Sequence, residues 1–273
     1  MLVNSLGRLN PSSKCRVFSK TPKTFYKLND VELDYSMQHK TAVAAGLTDP
    51  KLDVSDIKNT LKLVDERIQN SAVYRDLFKA TAIPFCLSLP PNGLDIGSEL
   101  ERNWLPLLKT EYEKQTNGSY FKATLQGNKA LSKNIKAVDG TGYANFLEQH
   151  SNAAVVGYFF PTALQEFDIS SQRKRIINLP KIDDVELCLS GPFEIIYSLI
   201  CYPNLLFNKH CYSPILCASA LEHEDPRMVM LFKSYGPHLE FWLMSQMLTP
   251  NETQVSEQWS GGVTIYKSIL LNP

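Results

Sequence analysis

The sequence predicts an α+β fold, with a helix-rich N-terminal half followed by a mostly antiparallel sheet in the C-terminal half. Three observations lead there. Apolar residues recur at helical spacing over 53–68 and 98–116. Short strand-like segments separated by tight turns fill the chain beyond Pro203. The alternating strand–helix–strand rhythm of a parallel α/β fold is missing.

The elements follow in order. Residues 1–27 read as an extended arm, broken by Pro11 and Pro22. A short helix is predicted within 30–45, ending near Gly46. Asp53 or Ser55 caps the next helix, which presents Ile57, Leu61, Val64 and Ile68 on one side. After Asn70-Ser71, residues 72–80 resume it. The run 82–89 reads as a buried strand closed by Pro90-Pro91-Asn92-Gly93. Ser98-Glu99-Leu100-Glu101 matches a capping box for a helix to about 116, which Pro106 should kink or shorten. A strand (SYFKATLQ), a short helix at 142–150, a buried strand from Ala153 and a helix at 169–178 come next. VELCLSG is a further strand, and Ser190 is expected to cap a helix with Pro192 in its first turn. The remaining strands are placed at 213–220, 227–235, 238–247, 254–259 and 263–270. Turns are read at Asp225-Pro226, Gly236-Pro237, Pro250-Asn251 and Gly261-Gly262. The organisation expected is an arm 1–27, a helix-rich region 28–150 and a strand-rich region 151–273 packed with it, or one domain over 28–273.

Composition narrows the function classes. The 273 residues are 44% hydrophobic and 21% charged, enough for a packed core. Net charge is zero but unevenly spread. Arg8, Lys14, Arg16, Lys20, Lys23 and Lys27 occur in residues 1–27 without one acid, leaving the rest at −6. A neutral total argues against a protein that coats nucleic acid, and leaves open a basic arm on a mildly acidic body. The arm resembles a transit peptide in being basic, Ser-rich and acid-free, so organelle targeting is a second use for it. No run approaches a membrane span. Six cysteines without a C-x-x-C pair read as free thiols of an intracellular, reducing, cytoplasmic setting.

Chemistry-bearing clusters are few, and each has an ordinary counterpart. His223 lies in the charged run 222–227, either oriented by acids as a general base or simply part of a charged turn. Alternation puts Lys233 and Tyr235 on one face of their strand, and His238 and Glu240 on one face of the next. If those faces meet, they form an anion-binding or acid–base patch; otherwise they are the solvated side of a sheet. His210, Cys211, Cys217 and His223 lack the paired spacing of a zinc site, so no metal is expected. Ser190 lacks the G-x-S-x-G context of a nucleophile, and Glu194 suits the start of a helix. No nucleotide or cofactor motif is present, and no cofactor is expected.

Two functions follow. The first is an interaction or assembly protein that self-associates or docks a protein partner or polyanion, nucleic acid included, through Arg8, Lys14, Arg16, Lys20, Lys23 and Lys27, away from membranes. Its arm is expected to be separable from a folded body. The second is a cytosolic hydrolase or transferase using His223, Lys233, Tyr235, His238 and Glu240.

Overall fold

The computed structural model describes residues 2–88, 95–128, 130–207, 210–249, 252–253 and 255–269. Its helices in chain order are α1 (Tyr35–Ala44), α2 (Val54–Asn70), α3 (Ile96–Glu99), α4 (Leu105–Thr116), α5 (Tyr143–Asn152), α6 (Ile169–Ile177) and α7 (Pro192–Cys201). Its strands are β1 (Ile83–Leu87), β2 (Phe121–Leu125), β3 (Ile135–Ala137), β4 (Ala154–Gln165), β5 (Glu186–Leu189), β6 (Ile215–Cys217), β7 (Leu221–His223), β8 (Met228–Tyr235), β9 (His238–Ser245), β10 (Met247–Thr249), β11 (Glu252–Thr253) and β12 (Trp259–Ile269).

The predicted segregation of helices from an antiparallel C-terminal sheet is corrected. One eight-stranded mixed sheet runs β1-β4-β12-β6-β8-β9-β2, with β5 also pairing β12. It recruits β1 and β2 from the N-terminal half, and two of its pairings, β12–β6 and β2–β9, are parallel. The cause is β12. Its eight leading residues are buried, so it is a core strand rather than the last rung of a meander. It lies along β4 on one side and along β6, then β5, on the other. Gly261-Gly262, read as a turn, sits inside β12 at a bulge between Gly261 and Val263. A Cβ on Gly262 would stand 2.2 Å from the Phe159 ring, so glycine here permits close approach and not reversal.

Helices cover both faces. Ile57 and Leu61 of α2 pack on Cys86, Ala154 and Val156, whereas Phe85, Leu87 and Val155 point into the main core with α7. Nine residues of α7, from Pro192 to Ile200, are buried, which is why its sequence is apolar nearly all round. Asp53 and Asp34 cap α2 and α1 through their side chains. Asp95 caps α3 where the sequence reading used Ser98. Pro106 does not break its helix. It falls in the first turn of α4, directly behind a π-helical turn over Leu100–Trp104 that absorbs the irregularity, so the helical run from Ile96 to Thr116 continues. Residues 72–80 resume only as a 3₁₀ turn, Arg75–Lys79. Pro90–Gly93, Pro250-Asn251 and the strand ends at 254 and 270 lie outside the described residues.

The arm is extended but belongs to the body. Val3 and Leu9 are buried in the main core, and the Leu9 amide donates to the Ala163 carbonyl. Arg8 reaches Glu166 at 3.0 Å with both side chains nearly buried. Glu166 Oε1 also accepts the Lys23 amide, and its backbone carbonyl accepts from Phe18. Burial raises the Glu166 pKa and lowers that of Arg8, each partly offset by the other's charge.

Candidate functional site

The β8–β9 hairpin turns at Gly236-Pro237, with Gly236 in the left-handed region at φ 58°. Its register pairs Lys233 with Glu240 and Tyr235 with His238, so these four share a face. Met230 and Phe232 of the opposite face are in the main core. Lys233 Nζ stands 3.3 Å from Glu240 Oε2 and 4.4 Å from the centre of the Trp242 ring. Glu240 Oε2 also accepts from Trp242 Nε1 at 2.7 Å. His238 Nδ1 accepts the Tyr120 amide, and its ring stacks on that of Tyr120 at 3.8 Å. His223 is elsewhere. It ends β7, where Nδ1 accepts the Asp225 amide and Nε2 faces the Ala130 carbonyl, beside a separate cavity of about 370 Å³.

Beside the hairpin, the segment leading to β6 carries His210, Cys211 and Tyr212. The arm adds to it: Tyr26 bridges Tyr212 in parallel, and the Lys27 amide donates to the Tyr212 carbonyl at 2.8 Å. The result is a cleft of about 810 Å³ lined by Tyr26, Phe207, His210, Tyr212, Lys233, Tyr235 and Gln258 among others. A second hollow of about 500 Å³ adjoins it, with Lys23, Phe25, Lys27 and Glu257 in its wall and His210 and Tyr212 shared. Phe25 stacks on Tyr212 with ring centres 5.1 Å apart. Large rings are ordinarily covered, yet Phe25, Tyr212 and Tyr235 are 56%, 65% and 70% exposed.

The arm cations divide into two groups. Arg8 is locked to Glu166, and Arg16 approaches Asp168 at 3.8 Å. Lys14, Lys20, Lys23 and Lys27 are exposed, and among the described residues no carboxylate pairs with their ammonium groups. The rings at 25, 26 and 212 were not singled out from sequence. The signal for two of them is the interleaving Lys23-Thr24-Phe25-Tyr26-Lys27 inside an acid-free stretch.

A second polar cluster is fully buried. Gly191, not Ser190, caps α7. The Ser190 hydroxyl lies 2.7 Å from Thr264 Oγ1, which donates to Glu194 Oε1 at 2.8 Å. Tyr143 Oη donates to Glu194 Oε2 at 2.9 Å. Burial pushes the Glu194 carboxyl up to about 7, against the pull of the Thr264 and Tyr143 hydrogen bonds. With Ser190, Glu194 and Thr264 at 0% exposure, the cluster ties α7 to β12 and α5 without reaching solvent.

Among the described residues, no group of three His, Cys, Asp or Glu side chains could hold a metal ion, and the cysteines are free. Cys217 is buried in β6, whereas His210 is exposed. No described helix is long and apolar enough to cross a membrane. No protein-family model, curated protein or solved structure matches this chain.

Proposed function

We propose that this protein is an interaction protein that docks a polyanionic partner on the outer side of its basic N-terminal segment and the adjoining cleft. The observation that carries this reading is the set of four exposed lysines, Lys14, Lys20, Lys23 and Lys27, without carboxylate partners among the described residues. Surface cations of that kind attract an extended anion and lose little on binding it. Self-association through the arm has less support, because the arm already bonds to Ala163 and Glu166 of its own chain. The enzymatic alternative has less as well. Lys233 and Glu240 engage each other, and His238 Nδ1 accepts the Tyr120 amide.

The test is retention on a heparin column with a salt gradient. The variant K14Q/K20Q/K23Q/K27Q should elute at clearly lower salt than wild type with the same melting temperature. Equal elution salt for the two would refute the reading.

A further inference from the structure

We propose that the twin hollows on either side of Tyr212 bind a short single-stranded oligonucleotide, its bases stacked on exposed rings and its phosphates held by lysines. The inference rests on the reading of the basic face as a polyanion dock, and specifies its occupant.

Phe25 and Tyr212 are already stacked on each other in the open, at an interplanar angle of 26°, which leaves an outer π face on the pair. Tyr235 stands across the 810 Å³ cleft and is the most exposed large hydrophobic side chain among the described residues. Flat faces separated by hollows suit nucleobases, which every sequence supplies. Two cations without a carboxylate partner among the described residues, Lys23 and Lys27, line one hollow together with Glu257, whereas Lys233 in the other hollow is already held by Glu240. A duplex hides its bases inside its own stack and cannot use these faces. An acidic peptide would satisfy the lysines but leave the three rings wet. Charge and aromatic faces together therefore select a strand with both phosphates and free bases. The zero net charge of the chain is compatible with this, because only two lysines, Lys23 and Lys27, take part.

The experiment is fluorescence anisotropy with labelled dT12 at several salt concentrations, alongside competition by inorganic polyphosphate, a duplex of equal length and polyglutamate. Wild type should bind dT12 with a log–log salt slope of about −1.4, the value for roughly two phosphate contacts to a single strand. Y212A and F25A should each weaken binding by about 10-fold, and Y212F should restore it, since only the ring is needed. Both rings are exposed, and the arm's bonds to residue 212 are made by backbone, so these variants keep the fold. Ring variants that bind dT12 as wild type does, with polyphosphate competing as well as dT12, would overturn base stacking and leave the charge-driven dock intact. Polyglutamate or duplex outcompeting dT12 would overturn the occupant. Failure to bind dT12 and polyphosphate alike would overturn both readings together.

Discussion

Glu194 shows how one side chain sets a pH dependence. Its carboxyl is fully buried, and burial raises its pKa from 4.5 to about 7. A group whose folded pKa lies above its unfolded one holds its proton more tightly in the folded state. Its contribution is therefore present below about pH 4.5 and is lost as pH rises through about 7. At 1.36 kcal/mol per pKa unit the loss is on the order of 3 kcal/mol. Glu194→Gln keeps the shape and an acceptor for Thr264 but removes the titration. Urea denaturation between pH 4.5 and 8 should show the variant with a flatter profile, at least as stable as wild type at pH 8. Parallel profiles for the two proteins would contradict this. The sequence marked Glu194 only as an acid at the start of an apolar helix, because its partners Tyr143 and Thr264 come from elements 51 and 70 residues away.

At the scale of elements, the most informative residue is a glycine that carried no signal. Gly157 of β4 pairs with Tyr266 of β12. A Cβ there would meet the Ile265 carbonyl oxygen at 2.1 Å. Backbone cannot step aside without breaking the β4–β12 ladder, so Gly157→Ala should cost about 3 kcal/mol, at the upper end for overpacking. The midpoint and slope of a urea transition would measure it; a cost below about 1 kcal/mol would mean the ladder shifts freely. In the run AAVVGYFF this glycine looked like one more buried strand position. Local pattern did locate many elements: helical spacing marks α2, alternation marks β9, and apolar runs mark β4 and β8. Pattern is blind to pairing, however. Nothing in ILC or WSGGVTIY states that β6 runs parallel to β12, and a Gly-Gly pair is read as a turn when its neighbours in space are unknown. The Lys233, Tyr235, His238, Glu240 face was legible for the converse reason: its two strands are joined by a hairpin, so sequence distance and spatial distance agree.

For the whole molecule, the arm changes meaning. Read from charge alone, residues 1–27 were a detachable appendage. Two of their apolar side chains, Val3 and Leu9, are at 0% and 1% exposure in the main core, and Arg8 neutralises a buried carboxylate. Removing 1–27 would bare those core positions and strand Glu166, and breaking a buried pair from one side costs about 3–5 kcal/mol by itself. Truncation should therefore lower the melting temperature by at least about 10 °C or abolish folding, as read by calorimetry. A truncated body melting with wild type would show the arm to be separable after all. Substitution of the exposed lysines, not deletion, is the way to probe what the surface binds. Charge pattern could flag the six cations but could not tell Arg8 from Lys23, because that distinction is made by Glu166, far along the chain.

The position of β12 has one more consequence, for the order in which the protein can be built. The strand that joins β1–β4 to β6–β8–β9–β2 follows all of them in sequence. Until residues 259–269 emerge, the two parts of the sheet have no common partner, and the edges of β4 and β6 that will receive it stand open. A growing chain thus holds two incomplete halves, vulnerable to edge-to-edge association, and closes the sheet only once β12 has emerged.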